Sequence, residues 1–145
     1  MGTGGAIAYA VKQQKLTGRF LVANADTWLG CGINELVSMN ELGLAAVNVA
    51  DTSRYGELSL ANDRVAGFME KGGVVGRGWI NAGLYSLCGE LFESWDGKPF
   101  SLEEKTFPKL VAEGRLGCFK LDTDFIDIGI PEDYKKAQNE LEKYL

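Results

Sequence analysis

The sequence predicts an α/β domain, a mixed sheet with helices on its flanks, and three observations carry that prediction. Short apolar runs such as RFLVANAD and GLAAVNVAD alternate with segments of helical apolar spacing such as GGAIAYAVKQQK and INELVSMNELG. The stretch RYGELSLANDRVAGFMEK adds two alternating segments around an Asn-Asp turn, the mark of a hairpin. With 145 residues, 46% of them hydrophobic and 24% charged, the chain reads as one cored domain spanning 1–145.

Taken in order, residues 4–15 predict a helix. The glycines around its start, in MGTGGAI, imitate a phosphate-cradling loop, but that reading needs a preceding strand to aim the loop, and none is expected there. RFLVANAD predicts a buried strand, placed mid-sheet, that stops at Asp26. INELVSMNELG predicts a helix capped by Gly43, and GLAAVNVAD a second buried strand. The hairpin turns at Ala61-Asn62-Asp63, and WINAGLYSLC is a further strand. Ser101-Leu102-Glu103-Glu104 has the form of a capping box and opens a helix toward Gly114, which Pro108 shortens or kinks. LGCFKL and DFIDIG read as strands, and Pro131 starts a last helix, PEDYKKAQNELEKYL. The sheet is expected to be parallel at first and antiparallel around the hairpin.

Charge and composition exclude several functions. The net charge is −5 and the 15 Lys and Arg residues are scattered, so no basic face exists for nucleic acid. There is no histidine, which removes Ser-His-Asp and Cys-His nucleophile systems and imidazole bases. Cys31, Cys88 and Cys118 form no Cys-x-x-Cys pair and fit a reducing, cytoplasmic setting. No apolar run reaches membrane-spanning length, so no membrane partner is expected. Met1-Gly2-Thr3 suggests myristoylation, but Ala6 stands where that signal needs Ser or Thr.

The chemistry that remains belongs to carboxylates, lysines, backbone amides or a hard metal ion. Asp26 and Asp127 each close or interrupt an apolar strand, where open α/β sheets present side chains to a ligand crevice. Two readings stand for them: ligands of one Mg²⁺ shared with substrate phosphates, or a turn starter and a cap. Glu70 and Lys71 run into Gly72-Gly73 and are either a sugar and phosphate contact or a solvated strand end. Gly83, in Asn81-Ala82-Gly83, marks a bulge or a close approach to a ligand, and Gly56 after Tyr55 carries the same two readings. Asp122, Asp124 and Asp127 do not make a calcium loop, because its sixth position demands glycine and holds Asp127.

In this order, GTGGAI, FLVANADTW, SRYGEL, FMEK, INAGLYSL, SLEEKTFPKLV and FIDIGIPEDY resemble the sugar-1-phosphate nucleotidyltransferases over nearly the whole chain. FIDIGIPEDY is the most specific and resembles the branch acting on heptose or mannose 1-phosphate with guanylyl transfer. The resemblance implies a Rossmann-like, GT-A-like mixed sheet. It implies Asp26 and Asp127 as the Mg²⁺ ligands, and Gly2, Thr3, Gly4 and Gly5 as a loop against nucleobase and ribose. It also implies Glu70 toward sugar hydroxyls, Lys71 toward the sugar phosphate, and Gly56, Asn81 and Gly83 in the sugar pocket. Gly72 replaces the proline of the family's Glu-Lys-Pro motif. The partners implied are a nucleoside triphosphate with a sugar 1-phosphate, or the NDP-sugar formed from them.

One part of the family pattern is not found, the first strand with its Gly-Gly-x-Gly-Thr-Arg signature. The expectation is therefore a chain corresponding to the C-terminal portion of such a domain. It lacks the triphosphate clamp, has no assigned catalytic residue, and is inactive alone. Sugar-nucleotide formation by the purified chain would refute that. A homodimer or higher homo-oligomer, joined through sheet edges or through the uncovered helix 4–15, is expected to cover the surface so exposed. The competing expectation is a non-catalytic nucleotide-sugar-binding or interaction module derived from the same fold.

Overall fold

The computed structural model describes residues 1–69 and 76–142 of the chain. Its first element is helix α1, Gly2–Gln14, which buries Gly4, Gly5, Ala8 and Val11 on one face. Strands β1, Arg19–Ala23, and β2, Thr27–Leu29, follow on either side of a turn. Helix α2 spans Ile33–Ser38 and leads to β3, Gly43–Val49. The hairpin strands are β4, Glu57–Ala61, and β5, Arg64–Met69, joined by Asn62 and Asp63 as expected, with Asn62 at φ 55. Strand β6, Gly78–Cys88, runs through the middle of the molecule. A π-helical turn over Leu102–Thr106 passes into α3, Phe107–Ala112. Strands β7, Gly117–Leu121, and β8, Phe125–Asp127, precede α4, Pro131–Leu141, which proline opens as predicted.

Six strands form one sheet in the order β1-β6-β3-β7-β5-β4, while β2 and β8 make a separate two-stranded ribbon. The α/β class is as predicted, but the pairing differs. The parallel pair is β3–β7, and β6 lies antiparallel between β1 and β3. Alternate residues of the central strands feed two cores. Leu44, Ala46, Tyr85 and Leu87 pack under α1, the π-turn and α3, whereas Ala45, Val47, Ile80, Ala82 and Leu84 pack with Leu36 of α2.

Three local expectations are corrected. RFLVA is not mid-sheet: among the described residues β1 pairs with β6 alone, and its central residues are half-buried. Gly43 is not a helix cap. Helix α2 ends at Ser38, whose hydroxyl bonds the Glu35 carbonyl at 2.7 Å, and Met39 is already extended. Gly43 instead opens β3, where a Cβ would stand 3.0 Å from the Gly117 carbonyl of the adjacent strand. The helix predicted from Ser101 begins as a π-turn. Ser101 does accept from the Glu104 amide at 3.2 Å, but its hydroxyl donates to Glu103, at 2.8 Å.

Candidate functional site

The ribbon of β2 and β8 decides the site. Thr27 stands opposite Asp127 in its antiparallel register, and the Ile128 amide donates to the Asp26 carbonyl at 2.8 Å. These ties bring Asp26, exposed in the turn before β2, beside Asp127, half-buried at the end of β8. The Gly129 amide donates to Asp127 Oδ1 at 2.9 Å and fixes that carboxylate. A Cβ on Gly129 would lie 3.0 Å from Asp127 Oδ1 and 3.7 Å from Asp26 Oδ2, so both carboxylates border one small space that a side chain would fill. Two hard oxygen donors with open room between them suit Mg²⁺, which binds through one or two carboxylates and takes its other oxygens from phosphate and water. Among the described residues no cluster of three or more His, Cys, Asp or Glu side chains forms a closed protein cage.

Beneath this pair lies a polar network. Strand β6 bulges: Leu44 faces Tyr85 and Ala46 faces Asn81, leaving Ala82, Gly83 and Leu84 against Ala45 alone. Gly83 sits at φ +72, its amide donating to Asn81 Oδ1 at 3.0 Å and its carbonyl accepting from the Asn24 amide at 2.7 Å. Asn81 Nδ2 donates to the Tyr85 hydroxyl at 3.1 Å. Tyr85 is 1% exposed, and burial pushes its hydroxyl up to about 12; bonds with the Asn81 and Asn24 side chains oppose the rise, and the charges of Glu103 and Asp26 add to it. Beside the network a cavity of about 440 Å³ is lined by Asn24, Thr27, Trp28, Asn34 and Gly83, among others.

The predicted site residues thus divide. Asp26 and Asp127 are brought together, and Gly83 lines the adjoining cavity. Asn81 spends both ends of its amide on the protein, and the close approach that needs a glycine at 83 is to the Asn24 side chain. Gly56 precedes β4, where among the described residues a Cβ would meet only the Met69 carbonyl, at 3.6 Å. Glu70 and Lys71 lie outside the described residues.

Gly2, Thr3, Gly4 and Gly5 are helical, which corrects the expectation of a loop at these residues. They form the first turn of α1, and the Gly4 and Gly5 amides both donate to the Phe100 carbonyl, at 3.0 and 3.2 Å. Thr3 Oγ1 donates to Glu103 at 2.9 Å and accepts from the Leu102 amide at 3.0 Å. Amides satisfied in this way are not left to cradle an anion, and the glycines serve the close packing of α1 on Phe100.

Sequence reasoning missed Asn24 and the group Arg54, Tyr55 and Asp133. Arg54 Nη2 pairs with Asp133 Oδ2 at 2.5 Å, and its guanidinium lies 5.6 Å from the centre of the Tyr55 ring. Tyr55 meets Phe125 of β8 edge-on, with centroids 5.7 Å apart. Burial raises the Tyr55 hydroxyl, and the Asp127 charge adds to that rise. An Asn two places ahead of Asp26, and an acid in the first turn of α4, were the available signals.

Comparison with known proteins says which proteins share this mixed α/β sheet and its two-stranded ribbon. The chain is 33% identical over its full length to D-glycero-α-D-manno-heptose 1-phosphate guanylyltransferase of Aneurinibacillus thermoaerophilus, covering 65% of that protein. It is 34% identical over 92% of its length to mannose-1-phosphate guanyltransferase 2 of Candida glabrata, covering 40% of that protein. The crystal structure of HddC from Yersinia pseudotuberculosis matches 97% of the chain with a TM-score of 0.82 and 37% identity, over 62% of its own length. No protein-family model matches. In sequence and fold the chain belongs with the sugar-1-phosphate nucleotidyltransferases, of which it spans about two thirds or less.

Proposed function

We propose that this region of the protein holds a sugar 1-phosphate, or the nucleoside diphosphate sugar made from it, against a Mg²⁺ ion bound by Asp26 and Asp127. The reaction served is transfer of a nucleotidyl group, guanylyl by likeness, from a nucleoside triphosphate to the sugar phosphate with release of pyrophosphate. The observation that carries the reading is the convergence of both carboxylates on the space beside Gly129. The relatives named as heptose and mannose 1-phosphate guanylyltransferases support it, as does the complex of HddC with GMP-PN.

The protein's part is positioning. The Gly129 amide fixes one carboxylate, and the register of Thr27 with Asp127 sets the other beside it. The bulge at Gly83 holds Asn24 at the rim of a cavity large enough for a hexose or heptose. A bound Mg²⁺ would supply charge stabilisation to phosphate oxygens. Phosphoryl chemistry of this kind rests on alignment and charge, which a chain without histidine can provide.

The test is calorimetric titration of GDP-mannose in the presence of Mg²⁺. Wild type is expected to bind, and Asp127→Asn to lose about tenfold or more in affinity, since a charge-bearing ligand is removed. Asparagine keeps an acceptor for the Gly129 amide, so the turn survives. Equal binding by wild type and variant, or none by wild type, refutes the proposal.

A further inference from the structure

Residues 51–56 form a short loop that is anchored at several points. Asp51 Oδ1 accepts from the Ser53 amide at 2.8 Å, and the Tyr55 amide donates to the Thr52 carbonyl at 2.9 Å. Thr52 is buried, its amide donating to the Gly76 carbonyl at 3.1 Å, and the Tyr55 ring is fixed against Phe125. From this frame Arg54 reaches Asp133 in the first turn of α4, six residues beyond Asp127. The Arg54 side chain is 44% exposed and that of Asp133 21%, so a half-exposed guanidinium meets a carboxylate whose paired oxygen is buried. The pair stands in the field of Asp127, whose charge acts on Arg54 after that of Asp133.

Charge balance says what such a cation can do. Asp51, Asp127 and Asp133 all act on Arg54 or on Tyr55 beside it, and Asp26 adjoins Asp127. With a divalent cation between Asp26 and Asp127 those two charges are cancelled, and the Arg54–Asp133 pair is neutral in itself. A phosphate dianion, with twice the charge of the Asp133 carboxylate, then competes with it for the guanidinium. The fork of five N–H donors also lets Arg54 grip two oxygens while its contact with Asp133 runs through Nη2 alone. We propose that Arg54 is a phosphate-holding side chain of this site, parked on Asp133 until a phosphorylated ligand reaches the Asp26–Asp127 pair. The inference rests on the reading of this end of the molecule as a sugar-phosphate site. Asp133 is then the resting partner of Arg54 and makes no contact with the ligand.

The experiment is calorimetric titration of mannose 1-phosphate with Mg²⁺ into wild type, Arg54→Gln and Asp133→Asn, each checked by its melting curve. Arg54→Gln is expected to weaken binding about tenfold or more. Asp133→Asn frees the guanidinium while keeping an acceptor and is expected to bind as tightly as wild type or more tightly. A purely structural tie between loop and helix predicts the same change on removing either partner. Arg54→Lys keeps the charge but not the fork, and it decides the matter if the glutamine variant does not fold. Its expected loss is about threefold or more. A wild type that binds no sugar phosphate overturns both this inference and the functional reading beneath it. A wild type that binds, with Arg54→Gln unchanged or Asp133→Asn as impaired as Arg54→Gln, overturns this inference alone.

Discussion

Replacing Gly83 with alanine strikes the fold and the candidate site through one atom. The residue sits at φ +72 in the β6 bulge, a left-handed conformation that costs an L side chain about 1 kcal/mol. The new methyl would also stand 2.8 Å from Asn24 Nδ2, 3.0 Å from its Cγ and 3.1 Å from its Cβ. The backbone amide of Asn24 bonds the Gly83 carbonyl at 2.7 Å, which keeps that residue beside the new methyl. Forcing a methyl into such a contact adds about 2 kcal/mol. The sum, about 3 kcal/mol, corresponds to a fall of roughly 10 °C in the melting temperature of a domain this size. Gly97 supplies the control: it has φ +88 and, among the described residues, nothing within 4 Å of its Cβ position, so Gly97→Ala bears the backbone cost alone. Its expected fall is about 3 °C. Circular dichroism melts of the two variants read the difference directly. If Gly83→Ala melts no lower than Gly97→Ala, the contact with Asn24 is soft and the argument from the bulge is wrong. A double-mutant cycle with Asn24→Ala locates the part of the clash made with Cγ and Nδ2, which that variant removes while the contact with Cβ stays.

Two further predictions follow from the titratable groups. Tyr85, raised to about 12 from 10.0, is held protonated by the folded state, so its contribution to stability is complete below pH 10 and is lost as pH rises from 10 toward 12. That loss amounts to about 3 kcal/mol, at roughly 1.4 per pH unit. Urea unfolding of wild type should therefore fall more steeply with pH in that window than unfolding of Tyr85→Phe, and parallel curves would dismiss the idea. At neutral pH Tyr85→Phe strands Asn81 Nδ2 and should cost about 1–2 kcal/mol. Among the thiols, Cys31 is exposed, Cys88 is half-buried and raised by burial, and Cys118 is buried and raised to about 11. Iodoacetamide labelling followed by mass spectrometry should modify them in the order Cys31, Cys88, Cys118. Early labelling of Cys118 in the native protein would contradict its burial.

Much of the fold was legible because its signals are local. The hairpin at Asn62-Asp63 and the proline start of α4 are written in two or three adjacent residues, and both formed where predicted. The bond from the Glu104 amide to Ser101 is equally local, yet the partner of the Ser101 hydroxyl is Glu103, because Thr3 of α1 also donates to that carboxylate. The place of RFLVA in the sheet was not legible, since apolar composition reports that a strand wants covering and not how many neighbours cover it. The glycines of GTGGA were legible as a demand for close approach. What approaches them is Phe100, nearly a hundred residues along the chain.

By itself the sequence determined the α/β class and the kinship with sugar-phosphate nucleotidyltransferases, together with a chemistry restricted to carboxylates, cations and amides. It also singled out Asp26 and Asp127, because each interrupts an apolar strand. Only the tertiary structure decided that the two carboxylates share one space. That depends on the register of β2 against β8 and on the missing Cβ of Gly129. The structure alone also set Arg54 against Asp133 and Asn24 against Gly83. The reason is physical: periodicity and turn chemistry act between neighbours along the chain, whereas a site is made where segments a hundred residues apart are brought within hydrogen-bonding distance by packing.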